Sequence, residues 1–165
     1  MMERKASFAP VVDAGTRILI LGSLPGEASL AAAQYYANPR NQFWRLVSAV
    51  IGLDLVPLEY AARLEHLCAH GIGLWDSISS ATRPGSLDTA IRNVEANPLA
   101  MLVSTLPALC CVAFNGAKSA SIGGPQLAGM GNFTALRLPS SSPAHAALTF
   151  EAKLEQWMKL RKFLR

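Results

Sequence analysis

The chain has 165 residues and a formal net charge of +4, from 15 basic and 11 acidic residues. Hydrophobic residues make up 51% of the chain and charged residues 16%, a balance that excludes an intrinsically disordered protein. The length suits a single domain over residues 1–165 with a sizeable core. Residues 151–165 contain five basic and two acidic side chains and so carry +3 of the net charge. Because the rest is nearly neutral, the charge by itself does not indicate a nucleic-acid partner.

The cysteines and the apolar stretches indicate in which cellular compartment the protein is expected. Cys68, Cys110 and Cys111 have neither the spacing of a disulfide framework nor that of a metal site. We therefore expect a cytoplasmic protein without a metal or other cofactor. The N-terminus lacks the apolar run of a signal peptide. The longest apolar stretch, residues 98–114, is interrupted by hydroxyl residues and a proline, so we expect no contact with a membrane.

Strands and helices alternate along the chain. Residues 17–23 form a continuous apolar run ending in glycine, which is typical of a strand buried on both faces of a parallel sheet. Helical spacing of apolar residues over 41–51 predicts an amphipathic helix that ends at Gly52. In chain order, the predicted elements are a strand over 17–23, a loop over 22–29, helices over 41–51 and 58–69, a strand over 71–76, a loop over 77–89, a helix over 98–105 capped by Asn97, a strand over 109–114, a helix over 117–122, a flexible loop over 123–132, a strand over 134–138 and a closing helix over 146–164.

This alternation predicts an α/β fold, a three-layer αβα sandwich around a central, mainly parallel four-stranded sheet. In such folds ligands bind beyond the carboxyl ends of the strands. Polar loops follow the four predicted strands, at 22–29, 76–88, 115–118 and 139–145. We expect these loops to converge on one crevice.

The segment 35–44, Tyr-Tyr-Ala-Asn-Pro-Arg-Asn-Gln-Phe-Trp, is the most unusual part of the sequence. One interpretation is a capped helix start, with one of its asparagines as the cap and Phe43 and Trp44 in the core. For Phe43 and Trp44 we favour that interpretation. Tyr36 and Asn41 also fit a pocket for a planar base, because an aromatic ring can stack on the base and an amide can bond its edge.

Four motifs together resemble the uracil-DNA glycosylase superfamily. They are Gly-Ser-x-Pro-Gly-x-x-Ser at 22–29, Tyr-Tyr-x-x-Pro-x-Asn-x-Phe-Trp at 35–44, Phe-Asn-Gly at 114–116 and Leu-Pro-Ser-x-Ser-Pro-Ala at 138–144. The sequence is most similar to the hypoxanthine (deoxyinosine) DNA glycosylase branch and next to the mismatch-specific uracil/thymine DNA glycosylases. The resemblance implies a monofunctional enzyme that flips a deaminated base out of DNA and hydrolyses its N-glycosidic bond in base excision repair. We expect a monomer.

The resemblance also implies roles for individual residues. Asn41 matches the residue implicated in catalysis in the hypoxanthine branch. The residues matching the base site are Gly22, Ser23, Leu24, Pro25, Tyr36 and Asn115. The residues matching DNA-backbone contacts are Lys118, Ser140, Ser141, Ser142, Pro143 and His145. Leu24 stands where uracil-excising members usually carry a polar residue, which favours hypoxanthine as the substrate. His145 stands where the family often has asparagine, and its role stays open.

A polar cluster after the second strand has two interpretations. Asp76, Arg83, Ser86, Asp88 and Arg92 could form surface ion pairs, with Ser86 or Asp88 capping a helix through residue 91. We favour this interpretation. The same residues could instead belong to an insert that closes over a flipped base.

Two functions of other classes also fit parts of the sequence. A serine hydrolase would use Ser141 or Ser142 with His145 and Asp76, although the Gly-x-Ser-x-Gly elbow is absent. A non-catalytic nucleotide- or flavin-binding module would explain the loops after the strands but not the segment 35–44.

Overall fold

The computed structural model describes residues 3–165. Its central sheet has four parallel strands, β2 (Ile18–Gly22), β3 (Ile72–Asp76), β6 (Cys111–Asn115) and β7 (Thr134–Leu138). Across the sheet they lie in the order β3-β2-β6-β7. This confirms the predicted parallel sheet, and all four strands lie where their apolar runs predicted them.

Helices cover both faces of this sheet and make the three layers. The helices are α1 (Glu27–Ala32), α2 (Phe43–Ile51), α3 (Tyr60–Ala69), α4 (Leu99–Val103), α5 (Ala117–Leu127) and α6 (Phe150–Trp157). Alternate residues of β2 point to opposite sides, as strand geometry requires. Ile18 and Ile20 pack in a core with residues of α2, α3 and α6, while Leu19 and Leu21 pack in a second core with α4 and α5. No helix in residues 3–165 is both long and apolar enough to span a bilayer.

A second, antiparallel sheet lies beside the first and was not predicted. Its strands are β1 (Arg4–Ala6), β4 (Ile78–Thr82) and β5 (Arg92–Ala96), in the order β1-β4-β5. The prediction of a loop over 77–89 was therefore wrong for β4. The helix expected through residue 91 is a short 3-10 helix over Asp88–Ala90, but its N-cap is Leu87 and no side chain caps it, so neither Ser86 nor Asp88 is the cap. Strands β4 and β5 are short and polar. They form because β4 pairs with β1 on one side and β5 on the other, rather than because of an apolar pattern of their own.

Three helix boundaries also differ from the predictions. Helix α5 runs to Leu127 instead of ending near residue 122, so the predicted flexible loop begins too early. Gly123 allows close contact there, because a Cβ at that position would lie 2.7 Å from the Phe114 ring. Asn97 does not cap α4, since its Nδ2 instead donates to the carbonyls of Asp76 and Ile78. The closing helix begins at residue 150 and continues as a 3-10 helix over Met158–Phe163.

Candidate active site

A cavity of about 210 Å³ lies beyond the carboxyl ends of the central strands, and we call it the base cavity. It is smaller than the roughly 300–1,000 Å³ of pockets for drug-sized ligands, a size that suits a single planar base. The residues around it include Gly22, Ser23, Leu24, Pro25, Tyr36, Asn41, Asp76, Asp88, Asn115, Ser140, Ser141, Ser142 and Pro143. The loops after all four strands thus converge as predicted. Asn41 and every predicted base-site residue line the cavity, whereas Lys118 and His145 do not.

Asp76 places a buried carboxyl group in this cavity. It is the last residue of β3, its exposed fraction is 3%, and its Oδ2 accepts a hydrogen bond of 2.6 Å from the Ser7 hydroxyl. Burial raises the pKa of Asp76 to about 7; the Ser7 hydrogen bond lowers it, the charge of Asp88 raises it further and Arg83 lowers it. The neighbouring strand ends in Gly22, where a Cβ would lie 2.6 Å from the Asp76 Oδ1. Glycine at this position therefore gives the carboxyl its space.

Tyr36 is held in one orientation at the wall of the base cavity. Its ring stacks on Phe43 with centroids 3.8 Å apart and an interplanar angle of 15°. Trp44 Nε1 donates to its carbonyl at 3.0 Å, and Asn115 Nδ2 donates to its hydroxyl at 3.3 Å. The backbone is left-handed there, with φ +55°. Since Phe43 covers one face of the ring, a base can stack only on the other.

Asn41 uses one end of its amide within the protein and leaves the other free. Its Oδ1 accepts a 2.9 Å hydrogen bond from the amide of Phe43, the first residue of α2. Its Nδ2 donates to no other residue in the described part of the chain. The N-cap residue of α2 is Gln42, and no side chain caps the helix, so Asn41 is not its cap. Asn41 still supports the start of the helix through Phe43 and offers an N–H donor at the cavity. Phe43 and Trp44 are buried in the core, as predicted.

The side-chain amide of Asn115, by contrast, makes hydrogen bonds to other residues at both its oxygen and its nitrogen. Its Oδ1 accepts from the Ser141 amide at 2.9 Å, and its Nδ2 donates to the Ser141 hydroxyl at 2.9 Å as well as to Tyr36. Ser141 is fully buried. Asn115 therefore lines the cavity as a residue that joins β6 to the last loop, and the Ser141 hydroxyl does not face solvent.

The segment between β4 and β5 closes one side of the base cavity. Arg83 is 1% exposed and donates to the carbonyls of Leu24 and Pro25, at 3.4 and 2.6 Å. The Ser23 hydroxyl donates to Asp88 Oδ1 at 2.6 Å. The interpretation of Asp76 and Arg83 as surface ion pairs was wrong, because both side chains are buried. The segment instead hydrogen-bonds to the first loop, and its role as an insert that closes over a flipped base stays a prediction.

The Leu24 side chain takes part in the contact between the first loop and the second sheet. Its side chain is 6% exposed and packs in an apolar cluster with Ile78, Ala81 and Ile91. The first loop thus turns its one large side chain toward the second sheet. Its contribution to the cavity is mainly a rigid backbone, held by Arg83.

A wider groove of about 660 Å³ adjoins the base cavity. We call it the cationic groove, because Lys118 and Arg137 lie along it; His145 and Asp88 line it as well. Ser140 and Ser142 border both the groove and the cavity. Four of the six predicted DNA contacts therefore line the groove, namely Lys118, Ser140, Ser142 and His145. The other two, Ser141 and Pro143, line the base cavity instead. Basic side chains and hydroxyl groups are the usual donors to phosphate oxygens.

The comparisons with known proteins bear on this arrangement. A family model described as the Uracil DNA glycosylase superfamily matches residues 9–161. This chain belongs to the uracil DNA glycosylase superfamily. It is 44% identical over 145 residues to a hypoxanthine DNA glycosylase of Methanosarcina barkeri, covering 88% of this chain and 91% of that one. It is also 44% identical over 141 residues to a hypoxanthine DNA glycosylase of Methanosarcina acetivorans, with coverage of 86% and 88%.

The fold agrees with a solved member of the superfamily. The solution NMR structure of a candidate uracil DNA glycosylase from Methanosarcina acetivorans superposes with a TM-score of 0.86 at 40% identity. The match covers 98% of this chain and 99% of that one. Family membership and the αβα fold predicted from the sequence motifs are thereby confirmed.

The closing helix α6 holds the loop after the last strand in place. Trp157 is fully buried, and its Nε1 donates to the Pro139 carbonyl at 3.0 Å. Lys153 is 2% exposed, and its Nζ lies 3.4 Å from the Ser142 carbonyl. Burial lowers the pKa of Lys153. The C-terminal basic residues are therefore not all on a solvated helix face, because Lys153 supports the loop from below.

The serine hydrolase alternative finds no support in the geometry. The Ser142 hydroxyl accepts from the Ala144 amide at 3.2 Å, and His145 contacts Ser142 only through its backbone. No serine hydroxyl is hydrogen-bonded to a histidine ring in residues 3–165. Within the same residues, no group of three or more His, Cys, Asp or Glu side chains is arranged to hold a metal ion.

The sequence did not predict where two charged residues of the site, Asp76 and Arg137, would lie. Arg137 on β7 lies at the cationic groove, although it was seen only as part of a strand. Asp76 was considered as a surface or triad residue, not as a buried group of the base cavity. Its position at the end of a fully buried apolar strand is the signal that could have placed it there.

Proposed function

We propose that this protein is a DNA glycosylase that removes hypoxanthine from DNA as a flipped base. The observation that supports this most is the base cavity, which is of single-base size, holds a buried carboxyl group and opens onto the cationic groove. The relatives named hypoxanthine DNA glycosylase, at 44% identity over most of the chain, support the same substrate. All residues of the cavity come from one chain, so we propose that a monomer suffices. We also propose that it acts in the cytosol, in line with its free cysteines.

The reaction is hydrolysis of the bond between C1′ of deoxyribose and N9 of the base. The electron pair of this bond leaves with the base, and a water oxygen bonds to C1′. The water loses a proton and the departing base gains one, so the products are hypoxanthine and an abasic sugar. The sugar develops oxocarbenium character in the transition state while the base becomes anionic. The protein accelerates the reaction by stabilising these two charges.

Asp76 is suited to the negative charge on the base. In its neutral form the carboxyl group has one donor and one acceptor. Hypoxanthine presents a matching carbonyl and N–H at O6 and N1. A donor hydrogen bond to O6 strengthens as charge moves onto the base, whereas an ionised Asp76 would repel it. Because the pKa of Asp76 is raised to about 7, the neutral form is present at and below neutral pH.

Three other side chains complete the proposed site. Tyr36 offers the ring face opposite Phe43 for stacking. Asn41 offers its free Nδ2 as a donor to the base, the sugar or the attacking water. Asp88, which has one oxygen bonded to Ser23, adds a carboxylate whose charge would stabilise a cationic sugar.

Excision from labelled duplexes is the direct test. Duplexes with a single inosine, uracil or adenine at one position are incubated with the protein and then treated with alkali, which breaks the strand at an abasic site. We expect cleavage at inosine and none at adenine, because adenine has no O6 to accept the hydrogen bond from Asp76. Cleavage at uracil alone would refute hypoxanthine as the substrate. No cleavage of any duplex would refute the enzyme.

A further inference from the structure

The two oxygens of the buried Asp76 carboxyl group have different surroundings. The Ser7 hydroxyl donates to Oδ2 at 2.6 Å. Within residues 3–165 the other oxygen, Oδ1, accepts no hydrogen bond, and it lies beside Gly22, where an added Cβ would be 2.6 Å away. Gly22 and Asp76 both line the base cavity. Oδ2 is therefore bound to the protein, whereas Oδ1 is left for a ligand.

Ser7 is held in place by its backbone as well as by its side chain. It follows directly on β1 (Arg4–Ala6), and its amide donates to the Ser79 carbonyl of β4 at 2.8 Å. The next residue, Phe8, is also fixed, because Trp75 Nε1 donates to its carbonyl at 3.0 Å. Pairing in the second sheet thus brings a hydroxyl group from the N-terminal segment to the end of a central strand, across 69 positions of sequence.

The acceptors around the Ser7 hydroxyl decide where its proton points. Within residues 3–165 its only acceptor besides Asp76 is the Phe8 carbonyl, at 3.4 Å. That carbonyl already accepts from Trp75 at 3.0 Å and lies 3.5 Å from the Tyr35 hydroxyl. A short hydrogen bond to a carboxyl oxygen is stronger than a long one to an occupied carbonyl. Ser7 therefore donates to Oδ2 rather than accepting from it, and the proton of the neutral carboxyl group resides on Oδ1.

We propose that Ser7 is a positioning residue for excision, which holds Oδ2 of Asp76 as an acceptor so that Oδ1 presents the acid proton to the flipped base. The inference rests on the proposed function, since it requires that the neutral carboxyl group binds the base. The Ser7 hydrogen bond also affects the pH range of the site, because a bond donated to a carboxylate stabilises the charged form. Burial raises the pKa of Asp76 to about 7, and the Ser7 hydrogen bond opposes that rise. Without the hydroxyl, Asp76 should stay neutral to a higher pH.

Other ionisable groups near Asp76 could also change the pH dependence. They are Asp88 and Arg83, from the segment between β4 and β5, and Tyr35 and Tyr36, from the segment before α2. Burial raises the pKa of both tyrosines, so neither loses its proton near neutral pH. Asp88 and Arg83 are the same in the wild type and in Ser7→Ala. A difference between the pH profiles of these two proteins therefore reports on Asp76.

The test is the pH dependence of inosine excision from duplex DNA, measured under single-turnover conditions between pH 5 and pH 10. We expect Ser7→Ala to lower the maximal rate about tenfold, as the loss of one positioning hydrogen bond implies. The pH above which the rate falls should rise by about one unit. The DNA concentration that gives half the maximal rate should stay the same, because Ser7 lines neither the base cavity nor the cationic groove.

Two further variants serve as controls. Ser7→Thr keeps the hydroxyl group and should restore most of the rate together with the wild-type pH profile. Ser104→Ala removes a hydroxyl group that donates to the Met101 carbonyl at 2.7 Å and lines neither space. It should change neither the rate nor the profile.

The carbon-13 resonance of the Asp76 carboxyl group gives a readout that needs no activity. Its titration midpoint should rise in Ser7→Ala by as much as the pH profile moves. A lower rate at every pH with an unmoved profile and an unmoved midpoint would show a merely structural contact, and it would overturn the role of Ser7, as would a wild-type rate in Ser7→Ala. A wild-type protein that cleaves no inosine duplex would instead refute the proposed function itself.

Discussion

Asp76→Asn should change how the stability of this protein depends on pH. The Asp76 carboxyl is buried and uncompensated by a close cation, and its pKa is about 7 instead of its ordinary 3.8. Below pH 3.8 the group is protonated in both the native and the unfolded state and contributes nothing. As the pH rises from about 4 to 7, the unfolded chain releases this proton but the native state retains it. The native state is therefore destabilised progressively, and the full cost is present above pH 7.

The magnitude follows from the two pKa values. The native and unfolded pKa values differ by 7 − 3.8 = 3.2. At about 1.36 kcal/mol per pKa unit, this difference lowers the free energy of unfolding by about 4 kcal/mol at high pH. About 3 kcal/mol of this develops between pH 5 and pH 8. Asparagine cannot ionise and retains an oxygen that can accept the Ser7 hydrogen bond. We therefore expect Asp76→Asn to be more stable than the wild type at pH 8, with a much smaller advantage at pH 5.

Urea unfolding at pH 5, 6, 7 and 8 measures this difference. Asp54→Asn is the control, since Asp54 is exposed and bonds only the nearby amide of Val56. The gap between Asp76→Asn and the wild type should widen with pH, while Asp54→Asn should run parallel to the wild type. Parallel curves for Asp76→Asn would show that the carboxyl ionises normally and would refute the reasoning. Excision by the wild type should fall above about pH 7 for the same reason, and Asp76→Asn should flatten that profile.

Three further predictions concern excision and DNA binding. Asn41→Ala should lower the single-turnover rate on inosine DNA about 100-fold, the size of effect of one preorganised donor. Its DNA affinity should change little, and its melting temperature should fall by only about 2–4 °C, from the loss of the hydrogen bond to Phe43; a wild-type rate would remove Asn41 from the site. Gly22→Ala should abolish excision, because the added Cβ would lie 2.6 Å from the Asp76 carboxyl, and a crystal structure of this variant should show that carboxyl displaced; retained activity would contradict the close packing. Binding should weaken only shallowly with salt, with a slope of about +2 in log Kd against log salt if Lys118 and Arg137 each neutralise one phosphate, and either one changed to alanine should reduce the slope by about 1. A steep slope that is lost when residues 159–165 are removed would instead assign DNA binding to the C-terminal residues.

The parallel sheet could be predicted because its signal is local. Three of the four central strands are short, fully buried runs that end in Gly, Asp or Asn, and a strand buried on both faces needs no partner-specific pattern. The fourth strand, Thr134–Leu138, lies at the edge of the sheet and is mostly exposed. The convergence of the loops after the strands could also be predicted, since the carboxyl ends of parallel strands lie at the same edge of the sheet. Asn41 and Tyr36 could be placed at the cavity for that reason, together with their match to the superfamily motifs.

The second sheet could not be predicted in the same way. The segment Ile78–Thr82 has only two buried residues, and its partner Arg92–Ala96 is mostly exposed. Their conformation is decided by pairing with a strand more than 70 residues away, near the N-terminus. Pairing over such distances has no signature in a window of ten residues. The prediction of a loop over 77–89 failed for this reason.

Sequence alone determined the chain's superfamily motifs, its four central strands and the set of loops that meet around the cavity, because these depend on residue type and short-range spacing. Tertiary structure decided what the polar side chains of those loops do. It buried Asp76 and Arg83, which had been interpreted as surface charges, and it bound the amide of Asn115 to Ser141. Burial and hydrogen bonding depend on neighbours from distant parts of the chain, so the pKa of a carboxyl or the freedom of an amide follows only from the folded arrangement.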